Sequence, residues 1–347
     1  MSDAPPTPIL VLHDGAAGNR RQALALAEAW GLPFDEQTLM PRAPWRWAAP
    51  RAFPGGKGAF GPRFAATLDA PPAVAIGCGR QAALATRLLR ERGARVVQVL
   101  HPRLPTPHWD AVVLPAHDGV AEGGNVITLN GSLNPIDDAW LARERAASPA
   151  IGAAPGPITA LLVGGPTDDS DWDRHALDGI LELLLRWRQR DGGTLRVIGS
   201  RRTPSAMRKQ IAVAVGDRGH VWMGDADGPN PYAGTLAWAD RLVVTPDSAN
   251  LISEAAATRA PLWIAVPRYS RGRIRHLVAH ALDSGRARPL GPEGTPWTVD
   301  PWRESARVAE RLRPWVLEAI AARQAPPCDG RADASAANAE AGTSAAS

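Results

Sequence analysis

The residues of this chain best suited to chemistry lie in VTPDSANLISEAAATRAPLWIAV (244–266), which reads as strand, tight turn, helix and strand. Asp247, Ser248 and Asn250 sit at the turn, and Glu254 follows one helical turn later. A carboxylate in a cleft accepts both vicinal hydroxyls of a ribose, so Glu254 suits a nucleotide. Ser248 and Asn250 offer hydroxyl, amide and helix-start N–H groups to a phosphate. Asp247 would repel a diphosphate and better suits a helix cap or a sugar hydroxyl. Taken alone, the segment reads equally as a capped helix bearing a surface glutamate.

Three further loops follow apolar runs in the same way. In LLVGGPTDDSDWD, the pair Gly164-Gly165 before a helix lets backbone N–H groups approach a phosphate, or makes an ordinary strand–helix turn. The acids Asp168, Asp169, Asp171 and Asp173 read as helix capping more than as a metal cluster. In VIGSRRTP, Ser200 and Arg201 are placed to reach into a cleft, and a guanidinium fork suits a diphosphate, while Arg202 reads as solvated. The first loop holds His13, Asp14, Gly15, Gly18, Asn19 and Gln22, with His13 and Asp14 as a candidate general base. His276 and His280 have i,i+4 spacing but no neighbouring third ligand, so no metal site is expected and none of the chemistry calls for a cofactor.

Residues 40–64, MPRAPWRWAAPRAFPGGKGAFGPRF, carry five basic residues, no acid, and Trp45, Trp47, Phe53, Phe60 and Phe64. Basic residues interleaved with aromatics describe a loop that touches an anionic lipid surface. An insertion packed on the first half is the alternative.

The elements that must position these residues alternate regularly. PILVLHDG, AVAIGCG, ARVVQVLHP, DAVVLP and GNVITLNG are short apolar strands, the first two each followed by a helical pattern. SPAIGAAPGP (148–157) reads as a linker, after which ITALLVGG, TLRVIGS, HVWMGD, RLVVTPDS and APLWIAV repeat the plan. Such alternation predicts an α/β fold of two Rossmann-like, doubly wound parallel-sheet domains with a cleft between them. Residues 1–150 form the first, acceptor-side domain and 151–300 the nucleotide-binding one. Residues 301–323 form an amphipathic helix with a break expected at Pro314, and 324–347 a disordered tail.

With 347 residues two domains are the default, and 45% hydrophobic content is globular. No apolar run approaches the ~18 residues of a membrane span, and the N-terminus shows no secretory pattern. Cys78 and Cys328 are far apart, so a reducing cytoplasm fits, with peripheral contact at an inner membrane through residues 40–64. The net charge of +4 comes almost wholly from arginine, without the dense basic runs of nucleic-acid binders, so no nucleic-acid partner is expected.

The motifs DGAAGNRRQALALAEAWG, GCGRQAA, VLHPRLP, DAVVLPAHD, LLVGGPT, GSRRTP and VTPDSANLISEAA together resemble the family named for the plant mitochondrial-fission factor "elongated mitochondria" and its bacterial homologues. The resemblance covers residues 8 to about 320 and implies the GT-B architecture of nucleotide-sugar glycosyltransferases. It implies a metal-independent, glycosyltransferase-like protein that takes a nucleotide-diphosphate sugar. Two alternatives stand beside it: a non-catalytic scaffold at a membrane surface, and a GT-B-fold nucleotide-sugar epimerase using Asp14 and Asp247. The short-chain-dehydrogenase kind of epimerase is excluded, since neither Tyr232 nor Tyr269 has a lysine four residues on.

Overall fold

The computed structural model describes residues 8–324; the expected tail and Cys328 lie outside them. The first half contains β1 (Ile9–His13), α1 (Ala17–Trp30), β2 (Phe34–Thr38), α2 (Trp45–Ala48), α3 (Pro62–Asp69), β3 (Val74–Cys78), α4 (Arg80–Arg90), β4 (Arg95–Val99), β5 (Ala111–Pro115) and β6 (Val126–Leu129). Helices α5 (Asp138–Ala147) and α6 (Pro149–Gly152) lead into the second half. There follow β7 (Ile158–Val163), α7 (Arg174–Asp191), β8 (Thr194–Gly199), α8 (Ser205–Val215), β9 (His220–Trp222), α9 (Tyr232–Trp238), β10 (Arg241–Val244), α10 (Ala249–Ala256), β11 (Leu262–Ile264), α11 (Gly272–Asp283), β12 (Ala287–Pro289) and α12 (Glu304–Gln324).

The strands form two six-stranded sheets, ordered β2-β1-β3-β4-β5-β6 and β12-β11-β10-β7-β8-β9, with every pairing parallel. Parallel strands covered by helices on both faces read as unbroken apolar runs, and β1, β3, β5 and β7 are buried at every position. Each sheet carries one core on either face. Trp30, Trp109, Trp172 and Trp187 are fully buried within these cores.

Two strands escape the sequence pattern. FDEQT of β2 is an edge strand with mixed exposure, and β12 spans three residues. Helix α12 runs unbroken through Pro314, so the expected break is not found. This helix crosses back to the first half, where Val308, Ala309, Leu312 and Val316 join the core under α1, and Trp30 Nε1 donates to Ala309 O at 3.2 Å. In the other direction, α5 packs on α9 and Leu141 belongs to a core of the second sheet.

Strand order reverses between β1 and β3 in the first sheet and between β7 and β10 in the second. Open parallel sheets bind ligands outside the C-terminal ends of their strands at such switch points. Here both switch points open onto the same space.

Candidate functional site

A cleft of about 900 Å³ lies between the halves. Its wall is made by loops that follow strands of both sheets. Asp14, Gly18 and Asn19 come after β1, Gly79 and Arg80 after β3, Thr167 and Asp169 after β7, and Asp247, Ala249 and Asn250 after β10. The approach is close. A Cβ on Gly79 would stand 2.5 Å from Asn19 Nδ2, and one on Gly18 2.9 Å from Asn250 Nδ2 across the halves.

Several cleft groups have no partner among the described residues. Gln22 and Ser132 are each 5% exposed and line the cleft, yet Gln22 Oε1 and Ser132 Oγ make no hydrogen bond. His117 Nδ1, also in the lining, is buried and unpaired. Burial holds the His117 imidazole below its ordinary pKa, against the pull of Asp118 and with help from Arg273, His276 and His280. Buried polar atoms are nearly always satisfied, and these three belong to side chains that line one cleft.

Cationic groups ring the same space: Arg80, Arg103, Arg202 and Arg273 all line it. Arg273 Nη1 reaches Asp118 Oδ1 across the cleft at 3.5 Å. Arg103 enters no ion pair among the described residues. The loop that presents it is unusual, since Leu100 and Arg103 both have left-handed backbone, with φ of 69° and 59°. The turn is fixed by His101 Nδ1, which accepts from Arg103 N at 2.9 Å. Non-glycine residues in this region cost free energy and cluster at ligand sites.

The residues singled out from sequence fall into three groups, and Asp247 belongs to two of them. Asp14, Asn19, Asp247 and Asn250 do line the cleft. Asp14 is held by Ala16 N at 3.0 Å and by Asn19 Nδ2 at 3.1 Å, while Ser248 caps α10 by accepting from Leu251 N.

A second group is spent inside the protein. Asp247, 7% exposed, accepts from Gly165 N at 2.9 Å, Trp172 Nε1 at 3.0 Å and Arg202 Nη2 at 3.0 Å. Gly164 N donates to Thr245 Oγ1 at 2.9 Å. Neither glycine therefore presents a free N–H to a phosphate. They are glycines for a steric reason: a Cβ on Gly164 would fall 1.7 Å from Asp247 Oδ2, and one on Gly165 2.3 Å from Arg202 O. Ser200 Oγ donates to Gly164 O at 3.2 Å.

The third group faces elsewhere. His13 is 1% exposed, with Nε2 2.7 Å from Glu36 Oε1 and Nδ1 accepting from Gly15 N at 3.0 Å. Both ring nitrogens are committed, so the imidazole orders the loop at Gly15 and is absent from the cleft wall. Glu254 is 3% exposed and bonded to Arg21 and to the Tyr232 hydroxyl. Burial, then the Glu254 carboxylate, pushes the Tyr232 phenol well above its ordinary pKa, which keeps it a donor. Arg201 is exposed, and its neighbour Arg202 is the one that lines the cleft.

Sequence reasoning assigned no role to Arg80, His101, Arg103, His117, Asp118 or Ser132. All but Ser132 fall within GCGRQAA, VLHPRLP and DAVVLPAHD, directly after apolar strands. Position at a strand's C-terminal end was the available signal. Of the acids near Gly165, Asp173 caps α7 by accepting from Ala176 N at 2.8 Å, as its position suggested. Among the described residues no three His, Cys, Asp or Glu are grouped to hold a metal ion.

Residues 17–316 match the family described as "Mitochondrial fission ELM1". The chain belongs to that family. One relative, "Mitochondrial fission protein ELM1" of Arabidopsis thaliana, is 28% identical over 275 residues, which is 70% of this chain and 63% of that protein. The match thus spans less than two thirds of the plant protein's length. Among solved structures, UDP-GlcNAc 2-epimerase from Methanocaldococcus jannaschii is similar with a TM-score of 0.54 at 13% identity, covering 88% of this chain and 98% of that one. UDP-GlcNAc 2-epimerase from Neisseria meningitidis, bound to UDP-GlcNAc, has a TM-score of 0.50 at 11% identity, covering 90% and 93%. At such identities the likeness is one of fold. This ELM1-family chain has the two-domain, Rossmann-like GT-B fold expected from its sequence.

Proposed function

We propose that the cleft binds a nucleotide-diphosphate sugar and that the protein is glycosyltransferase-like. The observation that carries this reading is the set of unpartnered buried atoms, Gln22 Oε1, Ser132 Oγ and His117 Nδ1, in a cleft ringed by arginines where the switch points of both sheets meet. A diphosphate suits Arg103, Arg202 and the start of α10, whose N-terminal dipole favours anions. Gln22 and Ser132 suit the hydroxyls and amides of a sugar or base. Asp14, held open to the cleft by Asn19, is the carboxylate placed to take a proton from an acceptor hydroxyl. UDP-GlcNAc bound to a protein of this fold supports the ligand class.

Transfer is favoured over epimerisation with Asp14 and Asp247 as paired acids, because the Asp247 carboxylate is already occupied by three donors. A thermal-shift screen against UDP, GDP, CDP and ADP tests the reading. A ligand at a hundred times its Kd adds about 2.7 kcal/mol of stability. A shift with one nucleotide that shrinks in Arg103→Ala supports nucleotide binding in the cleft, and no shift with any favours a non-catalytic scaffold.

A further inference from the structure

Large hydrophobic side chains stand exposed at five positions among the described residues, and three of them, Met40 (77%), Trp47 (72%) and Phe53 (46%), fall between positions 40 and 53. Arg42, Arg46 and Arg51 are exposed beside them, and none enters an ion pair among the described residues. No acid occurs anywhere in 40–64.

The stretch is firmly mounted. Phe60 and Phe64 are buried edge to face at 5.0 Å, and Ala49 and Ala59 join the same core. Arg87 Nη1 holds Pro50 O at 2.7 Å, and Arg42 N donates to Ala59 O at 2.8 Å. The Trp45 ring lies 3.6 Å from where a Cβ on Gly55 would stand, which brings the turn of α2 against the loop that carries Phe53. Folding thus buries Phe60 and Phe64 in the core, packs Trp45 against it, and leaves Trp47 and Phe53 outside, among arginines. Exposed apolar side chains interleaved with unpaired cations have the composition of a membrane-interface contact: rings enter the headgroup layer while guanidinium groups meet lipid phosphates.

We infer that residues 40–53 form a docking surface for an anionic lipid bilayer. Met40, Trp47 and Phe53 insert, and Arg42, Arg46 and Arg51 engage the headgroups. The surface adjoins the cleft through Arg80, which lines the cleft and donates to Trp47 O and Arg46 O, both at 3.4 Å. Docking therefore brings the mouth of the site next to the bilayer. This holds whatever ligand the cleft takes.

The test is co-sedimentation of the full chain with vesicles of phosphatidylcholine alone and of phosphatidylcholine mixed with phosphatidylglycerol. The expected result is pelleting with the anionic vesicles that weakens as salt is raised. Either triple variant, Met40→Ser/Trp47→Ser/Phe53→Ser or Arg42→Glu/Arg46→Glu/Arg51→Glu, is expected to lose about a hundredfold in partitioning. All six side chains are exposed, so unchanged circular dichroism and melting temperature confirm that the variants fold. Val213→Ser, at an exposed apolar site elsewhere (83%), is the control and should bind as the parent does. No pelleting with anionic vesicles, or pelleting unchanged in the apolar triple variant, overturns the proposal. So does light scattering that shows the patch joining two copies of this chain in the absence of lipid.

Discussion

Arg21 of α1 and Glu254 of α10 form an ion pair that joins the first half of the molecule to the second. The carboxylate is buried, and the phenol of Tyr232 on α9 occupies its other oxygen. A glutamate of a type and place suited to a ribose is thus consumed as a tie between helices.

Glu254→Ala should lower stability by about 1–3 kcal/mol, because Tyr232 is left as a buried donor without a partner. A double-mutant cycle with Arg21→Ala, read by urea unfolding, should give a coupling energy of roughly 0.5–3 kcal/mol. Additive effects would show that the pair does not hold the halves. Glu254→Gln should also leave ligand affinity near that of the parent.

Asp247 gathers the loops after β7, β8 and β10 through Gly165, Arg202 and Trp172. Asp247→Ala strips three donors at once and should cost about 3–5 kcal/mol, in the range of a broken buried ion pair. Gly164→Ala should approach that loss without touching a charge, since its methyl group would collide with the Asp247 carboxylate. Guanidinium unfolding of both variants checks this, and a mild Gly164→Ala would place Asp247 elsewhere.

Arg103→Ala should weaken nucleoside-diphosphate binding by about 1.5–3 kcal/mol, the usual worth of a charge-assisted hydrogen bond. Arg201→Ala should change it little. Arg202→Ala should weaken binding and lower stability together, because Arg202 also anchors Asp247. Calorimetric affinities for the three variants, beside their melting temperatures, separate these roles.

His117 predicts a pH dependence. Its folded pKa lies below the ordinary 6.5, with burial the largest cause. The unfolded chain therefore takes up the proton more readily than the folded one. The stability this histidine contributes is complete above about pH 6.5 and is lost as pH falls into the window beneath that value. Urea unfolding from about pH 7 to about pH 5 should show a shallower slope for His117→Asn than for the parent. Equal slopes would remove His117 as a source of the dependence.

The fold was legible because parallel strands buried on both faces leave runs such as ILVLH and ITALLV that no helix period explains. FDEQT, half wetted at an edge, left no such trace. Cleft-lining residues were legible as far as position sufficed: Asp14, Asn19 and Asn250 stand just past strand ends and line the cleft, as does Asp247, whose carboxylate is taken by Gly165, Trp172 and Arg202. Orientation was not legible. His13 is committed to Glu36, 23 residues away, and Glu254 to Arg21, 233 residues away. A one-residue ambiguity decided between Arg201 and Arg202, and nothing local in RRT says which guanidinium turns inward.

The proposed binding of a nucleotide-diphosphate sugar in the cleft between the halves rests on the cleft's unpartnered polar side chains. The most direct measurement is calorimetric titration of UDP and UDP-sugars into the parent and into Gln22→Leu. We expect one saturable site in the parent, and in the variant a loss of about 1–2 kcal/mol, roughly 5- to 30-fold in Kd. Absence of binding to the parent, or equal affinity in Gln22→Leu, would contradict it.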